Sequence, residues 1–197
     1  MTTPRTATIE RTTSETDIRL TLTLEGSGQS SISTGLPFFD HMLTALTRHS
    51  LIDLSLTCTG DLHIDDHHTI EDCAIALGSA FNQALDDRAH IHRFASTYAP
   101  LDESLVRCVI DLSGRPAPHI NLPFTRPTIG PIATENIAHF FTSFAISARC
   151  ALHLDLIRGT NDHHRAEAAF KACALALRCA IAIDPRSPGI PSTKGSL

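Results

Sequence analysis

His67-His68-x-x-Glu71 returns as His163-His164-x-x-Glu167, 96 positions later in a chain of 197 residues. An upstream histidine accompanies each copy, His41 in the first and His139 98 positions on in the second. Matched motifs in matched surroundings indicate a duplicated supersecondary unit, and two copies make a pseudo-twofold domain rather than a solenoid. The hydrophobic patterning agrees. Residues 17–24 alternate, with Ile18, Leu20, Leu22 and Leu24 on one face, so they form a half-buried strand. The Thr-rich stretch 6–13 precedes it, and a turn at 25–28 follows, which implies an N-terminal antiparallel meander. Phe38, Phe39, Met42, Leu43 and Leu46 recur at helical spacing, giving a helix over about 38–49. Ile52, Leu54 and Leu56 alternate as a strand, and an amphipathic helix runs from His68 through Ile70, Cys73, Leu77 and Phe81.

The second half repeats the series. A strand over 105–112 ends at the breakers Ser113-Gly114-Arg115-Pro116. A Phe-rich helix over about 135–150, a strand through Leu152, Leu154 and Leu156, and an Ala-rich helix over about 164–183 follow. The expected fold class is therefore α/β (α+β), with two strand-helix-strand-helix repeats in a single catalytic domain. Repeat one covers about 1–91 and repeat two about 92–184, and the tail 185–197, with three Pro and two Gly, is irregular and ordered by docking.

Successive residues on a helix point about 100° apart, so His67 and His68 cannot readily bind one ion. Glu71 is four residues from His67 and three from His68 and can join either. Each motif thus offers ligands to two ions. Pairing the repeats yields two sets of three imidazoles and one carboxylate from His41, His67, His68, Glu71, His139, His163, His164 and Glu167. Three nitrogens and one oxygen leave open positions on a six-coordinate ion, as catalysis requires. Mn, Fe, Co, Ni and Zn all suit these donors. The other six of the twelve histidines (49, 63, 90, 92, 119 and 153) are read as structural or surface residues.

A net charge of −5 argues against nucleic acid as a partner. No apolar run approaches a membrane span, and residues 1–13 lack a signal-peptide core. The six cysteines form no CxxC pair and lie mostly in apolar stretches, which fits reduced, buried thiols in a cytoplasmic protein.

Residues 35–43 (GLPFFDHML), 64–78 (IDDHHTIEDCAIALG), 98–104 (YAPLDES), 111–116 (DLSGRP), 161–172 (NDHHRAEAAFKA) and 191–195 (PSTKG) together resemble the imidazoleglycerol-phosphate dehydratases of histidine biosynthesis. The resemblance covers essentially the whole chain and implies a monofunctional form, with no phosphatase-like extension. It implies helices packed between two four-stranded sheets, and a homo-oligomer of twenty-four subunits with active sites completed across interfaces. It further implies two Mn ions per active site. In this assignment His41, His68, Glu71 and His164 hold one ion, and His67, His139, His163 and Glu167 hold the other. Substrate-contacting positions implied by the resemblance are Glu15, Arg93, Arg115, Lys171, Ser192, Thr193 and Lys194, besides His41, His67 and His68. The family commonly has Gln where this chain has Ala45, a position associated with the phosphate pocket, and Gly where it has Ser50.

The small phosphorylated substrate carries an imidazole, and that ring would take the open metal positions. Its phosphate calls for planar, multidentate cations such as Arg93 and Arg115, with Lys194. Proton transfer needs a carboxylate near the metals, and Glu15, Glu71 and Glu167 all qualify. Two other activities would use the same ligands: hydrolysis of an ester or amide by a dinuclear centre, and metal storage without catalysis.

Overall fold

The computed structural model describes residues 4–197; residues 1–3 lie outside the described residues. β1 (Thr6–Thr12), β2 (Thr16–Thr23), β3 (Ser30–Ser33) and β4 (Asp53–Gly60) form one sheet in the order β1-β2-β4-β3. β5 (Phe94–Leu101), β6 (Ser104–Asp111), β7 (Ala117–Asn121) and β10 (Ala151–Arg158) form a second in the order β5-β6-β10-β7. Each sheet is antiparallel except for its last pair, β3 with β4 and β7 with β10, which run parallel. Strands β8 (Thr128–Ile129) and β9 (Ile132–Ala133) make a small hairpin.

Between the sheets lie α1 (Pro37–Ser50), α2 (His67–Leu85), α3 (Thr134–Ser147) and α4 (Asp162–Ile181). Helices α1 and α2 touch the first sheet, α3 and α4 touch the second, and the pairs α1–α4 and α2–α3 pack on each other. The inward rows of the strands, Ile18, Leu20 and Leu22 on β2 and Leu152 and Leu154 on β10, are all at most 1% exposed. That alternation buries one face of each sheet, and burying each such side chain contributes about 1.5–3 kcal/mol. Aromatic rings join all four helices. Phe39 of α1 meets Phe140 of α3 at 5.5 Å, Phe141 meets Phe170 of α4 at 4.7 Å, and Phe144 meets Phe81 of α2 at 5.5 Å.

Helices α2 and α3 approach so closely at Gly78 that a Cβ there would lie 2.6 Å from the Phe144 carbonyl oxygen. This contact sets the spacing of the candidate ligands His67 and Glu71 on α2 from His139 on α3.

Two expectations need correction, beside two strands that lack a sequence signal. Helix α3 ends at Ser147, not near 150, because Arg149 takes φ 53°. Its N–H then bonds the Ile146 carbonyl and that of Cys150 bonds the Ala145 carbonyl, which closes the helix. Strands β3 and β7 have no clear periodic signal, being short and, in β7, containing Pro118; pairing with β4 and β10 creates them. Five cysteines are free and buried as expected, but Cys179 is exposed, on the outer side of α4.

Candidate metal centres

Both His-His motifs open a helix, and the local sequence fixes them alike. The His67 N–H donates to Asp65 Oδ1 (2.8 Å) and the His163 N–H to Asn161 Oδ1 (2.9 Å), the same capping bond in each repeat. The intervening aspartates turn inward. Asp66 accepts from the Ala133 N–H at the entry to α3, and buried Asp162 accepts from the N–H groups of Thr125 and Arg126. The imidazoles that follow are thereby held at the edge of the helical layer.

Two clusters form, each drawing on both repeats. His67 and Glu71 of α2 meet His139 of α3, with the ligand atoms within 4.8 Å of one another. His139 Nε2 lies 3.0 Å from Glu71 Oε1, His67 Nε2 lies 3.6 Å from Glu71 Oε2, and the rings stack at 5.0 Å. His163 and Glu167 of α4 meet His41 of α1 in the same way, at 3.2 Å and 3.4 Å from Glu167 Oε2. The partition implied by the resemblance, with Glu71 beside His41 and His68 and Glu167 beside His67 and His139, is not the grouping within the chain. The reason is helical geometry and packing. Each glutamate faces the histidine four residues before it, and the helix pairs α2–α3 and α1–α4 bring up His139 and His41.

His68 and His164 lie outside both clusters. The rings of His67 and His68 are inclined by 83°, and those of His163 and His164 by 90°. His68 Nδ1 bonds Asp61 (3.0 Å), and its Nε2 lies 3.6 Å from Glu15 Oε1. His164 Nδ1 bonds Glu103 (2.7 Å). His67 Nδ1 bonds Asn136 Oδ1 (3.0 Å), which sits one turn before His139 on α3. Asp61, Glu103 and Asn136 were not singled out in the sequence, because a carboxylate in a turn or an amide in a helix carries no local sign of its partner.

Electrostatics follow these contacts. The bond to Asp61 raises the His68 pKa above its ordinary 6.5, aided by the charge of Glu15. The bond from His164, and then the N–H groups of Asn161 and Thr160, hold Glu103 far below the usual carboxylate range. Burial opposes ionisation of Glu167, but the hydrogen bond and charge of Lys171 outweigh it and lower its pKa. Two imidazoles and an ionised carboxylate with converging lone pairs fit a borderline divalent transition metal.

Arg93, Arg115, Ser192, Thr193 and Lys194 line a pocket of about 540 Å³ with Phe94, Pro191 and Leu197. Arg93 reaches both oxygens of Asp111 (2.7 and 3.1 Å) and donates to the Pro191 carbonyl (2.7 Å), fastening the tail. Its backbone is left-handed at φ 70°. Arg115 and Lys194 contribute the less committed cations. Lys171 is not in this pocket, since its ammonium is bonded to Glu167; neither is Ala45, which is buried within α1. Among the described residues no helix is long and apolar enough to cross a membrane.

Known proteins share both the sequence and the fold. The profile of the family described as imidazoleglycerol-phosphate dehydratase matches residues 34–177. The Zymomonas mobilis imidazoleglycerol-phosphate dehydratase is 56% identical over 194 residues, covering 98% of this chain and 99% of its own. A Phytophthora nicotianae protein of the same name is 55% identical over 193 residues, again 98% of this chain, but the chain spans only 42% of that relative's length. The crystal structure of the Staphylococcus aureus imidazoleglycerol-phosphate dehydratase superposes with a TM-score of 0.83 at 36% identity, covering 91% of this chain and 99% of that one. The chain belongs to the imidazoleglycerol-phosphate dehydratase family, whose members are enzymes of histidine biosynthesis.

Proposed function

We propose that the chain removes water from D-erythro-imidazole glycerol phosphate to give imidazole acetol phosphate, using two Mn ions per active site. The observation that carries this reading is the pair of clusters, each with two imidazoles and one carboxylate, in a chain that also has a cationic pocket. His67, Glu71 and His139 hold one ion, and His41, His163 and Glu167 hold the other. His68 and His164, left outside both clusters with Nε2 near only the carboxylates of Glu15 (3.6 Å) and Asp102 (3.8 Å), complete the shells of ions held by neighbouring copies. This supports a homo-oligomer, of twenty-four subunits by the family resemblance, with active sites at the interfaces. None of the eight ligands lines the cationic pocket, in keeping with a site assembled from more than one chain.

When bound, the ions supply Lewis-acid positions for the two ring nitrogens of the substrate. The chain's own residues do the rest. Arg115 and Lys194, with Ser192 and Thr193, grip the phosphate, while Arg93 holds the tail that carries three of these groups. Glu15, whose carboxylate is half exposed beside His68, takes the C2 proton and passes it to the departing C3 hydroxyl, which leaves as water. Glu71 and Glu167 are engaged as ligands, which makes Glu15 the preferred base. Lys171 keeps Glu167 ionised and lies where it can also meet substrate. The whole chain acts as one catalytic domain in the cytoplasm, consistent with its free cysteines.

The test is dehydration of imidazole glycerol phosphate by Mn-loaded and chelated protein, with ester hydrolysis followed in parallel. Mn-dependent formation of imidazole acetol phosphate supports the reading. Metal-dependent ester hydrolysis without dehydration would replace it with the hydrolase alternative.

A further inference from the structure

The duplication places a glutamate at the same point of each repeat, and the two have diverged. Glu15 ends the β1–β2 turn and Glu103 ends the β5–β6 turn. Each is followed by a buried hydroxyl residue, Thr16 or Ser104, that packs beside the glycine at the end of the third antiparallel strand, Gly60 as the last residue of β4 or Gly159 next after β10. The residue after that glycine then bonds back to the turn. The Asp61 N–H donates to the Glu15 carbonyl (3.0 Å), and the Thr160 N–H donates to Glu103 Oε1 (3.0 Å). Asp61 and Thr160 therefore occupy matching positions.

What differs is the group that holds the outer histidine. In repeat one, Asp61 takes His68 Nδ1. In repeat two, Thr160 has no carboxylate to offer, and Glu103 reaches across instead. Its Oε2 lies 2.7 Å from His164 Nδ1, while Oε1 accepts from the N–H groups of Thr160 and Asn161 (2.8 Å for the latter). Glu103 is fully engaged. The Glu15 carboxylate, by contrast, makes no hydrogen bond among the described residues and only approaches His68 Nε2 at 3.6 Å.

We infer that the two turn glutamates have divided their roles: Glu103, like Asp61, is a positioning residue that keeps the proton of its histidine on Nδ1 and the Nε2 lone pair free for an ion, whereas Glu15 is released to act on substrate. This rests on the reading that His68 and His164 are metal ligands. A carboxylate on the far nitrogen of a ligating histidine fixes its tautomer and orientation, and loss of such a partner weakens metal binding about 10–100-fold. In Glu103→Gln the single remaining carbonyl oxygen cannot serve both the backbone N–H groups and His164. One orientation of the amide turns its NH₂ toward Nδ1 and drives the ring proton to Nε2.

The experiment is Mn²⁺ titration of full-length protein without substrate, with free Mn²⁺ read by electron paramagnetic resonance. Glu103→Gln is expected to weaken one class of sites about 10–100-fold. Adding Thr160→Asp, which copies the arrangement at Asp61, should recover most of that loss. Raising Mn²⁺ to saturation should restore the turnover of Glu103→Gln but not that of Glu15→Gln, whose Mn²⁺ binding stays as in the parent. A Glu103→Gln protein with parental Mn²⁺ affinity overturns the proposal. If Glu103→Gln does not fold, Asp61→Asn decides the matter in repeat one by the same criterion. His164→Ala separates the two failures. Parental Mn²⁺ binding there removes His164 as a ligand and with it the underlying reading, whereas weak binding in His164→Ala beside parental binding in Glu103→Gln refutes the positioning role alone.

Discussion

The Lys171 ammonium lies 2.6 Å from Glu167 Oε1, one helical turn along α4, while Oε2 of the same carboxylate faces His163 and His41. Repeat one has Ile75 where Lys171 stands, so only one of the two clusters has a built-in cation at its carboxylate.

This pair sets a pH dependence. The folded-state pKa of Glu167 lies below its ordinary 4.5, so its contribution to stability is fully present above pH 4.5. It is lost as pH falls through the lowered value, because protonation breaks the pair. In chelated protein, Lys171→Met should therefore lower the melting temperature at neutral pH, with the difference shrinking below pH 4.5. A difference independent of pH between 3 and 7 would show that the pair contributes nothing through ionisation.

The clusters should empty separately. Glu71→Ala removes a ligand shared by His67 and His139, and Glu167→Ala removes the one shared by His41 and His163. Metal analysis after dialysis against limiting Mn²⁺ is expected to give about half the parental metal content for each single variant, with little left in the double variant. Loss of all metal from either single variant would mean that the two ions bind as one cooperative unit.

Gly78→Ala tests how the fold holds the first centre. A Cβ at Gly78 would meet the Phe144 carbonyl at 2.6 Å, Ser147 Cβ at 2.7 Å and the Ala148 nitrogen at 2.8 Å, mostly backbone that cannot rotate away. Forcing α2 from α3 should destabilise the protein by about 1–3 kcal/mol, as overpacking does. Because His139 rides on α3, Mn²⁺ binding at the Glu71 cluster should weaken more than at the Glu167 cluster. Thermal denaturation and Mn²⁺ titration of the same sample check both.

Arg93→Gln should release the tail. The change removes the paired bonds to Asp111 and the bond to the Pro191 carbonyl that seats Ser192, Thr193 and Lys194 at the pocket. Limited proteolysis should then cut within 185–197 faster, and KM for the phosphorylated substrate should rise at least tenfold while metal content stays constant. An unchanged cleavage rate would mean that other tail contacts suffice, such as the bond from the His90 N–H to the Gly189 carbonyl.

The sequence by itself determined the repeat and the helices, and it supplied the candidate metal donors. A period of two in β2 or of 3.6 in α1 is written in consecutive residues, and the matched His-His-x-x-Glu copies announce the duplication and offer donors suited to a divalent metal. Successive residues on a helix diverge by about 100°, so the separation of His67 from His68 was also legible, and of the two only His67 joins the Glu71 cluster. Which glutamate joins which histidines was not. From spacing alone Glu71 can turn to His67 or His68, and only the packing of α2 on α3 and of α1 on α4 brings His139 and His41 to the two carboxylates. Asp61, Glu103 and Asn136 stayed hidden for the same reason. A turn carboxylate or helix amide has no local signature of its partner, and Glu103 reaches His164 across 61 residues only because the β5–β6 turn folds over the start of α4. Local periodicity is carried by neighbours in the chain, whereas the pairing of donors with acceptors is decided by elements far apart in it.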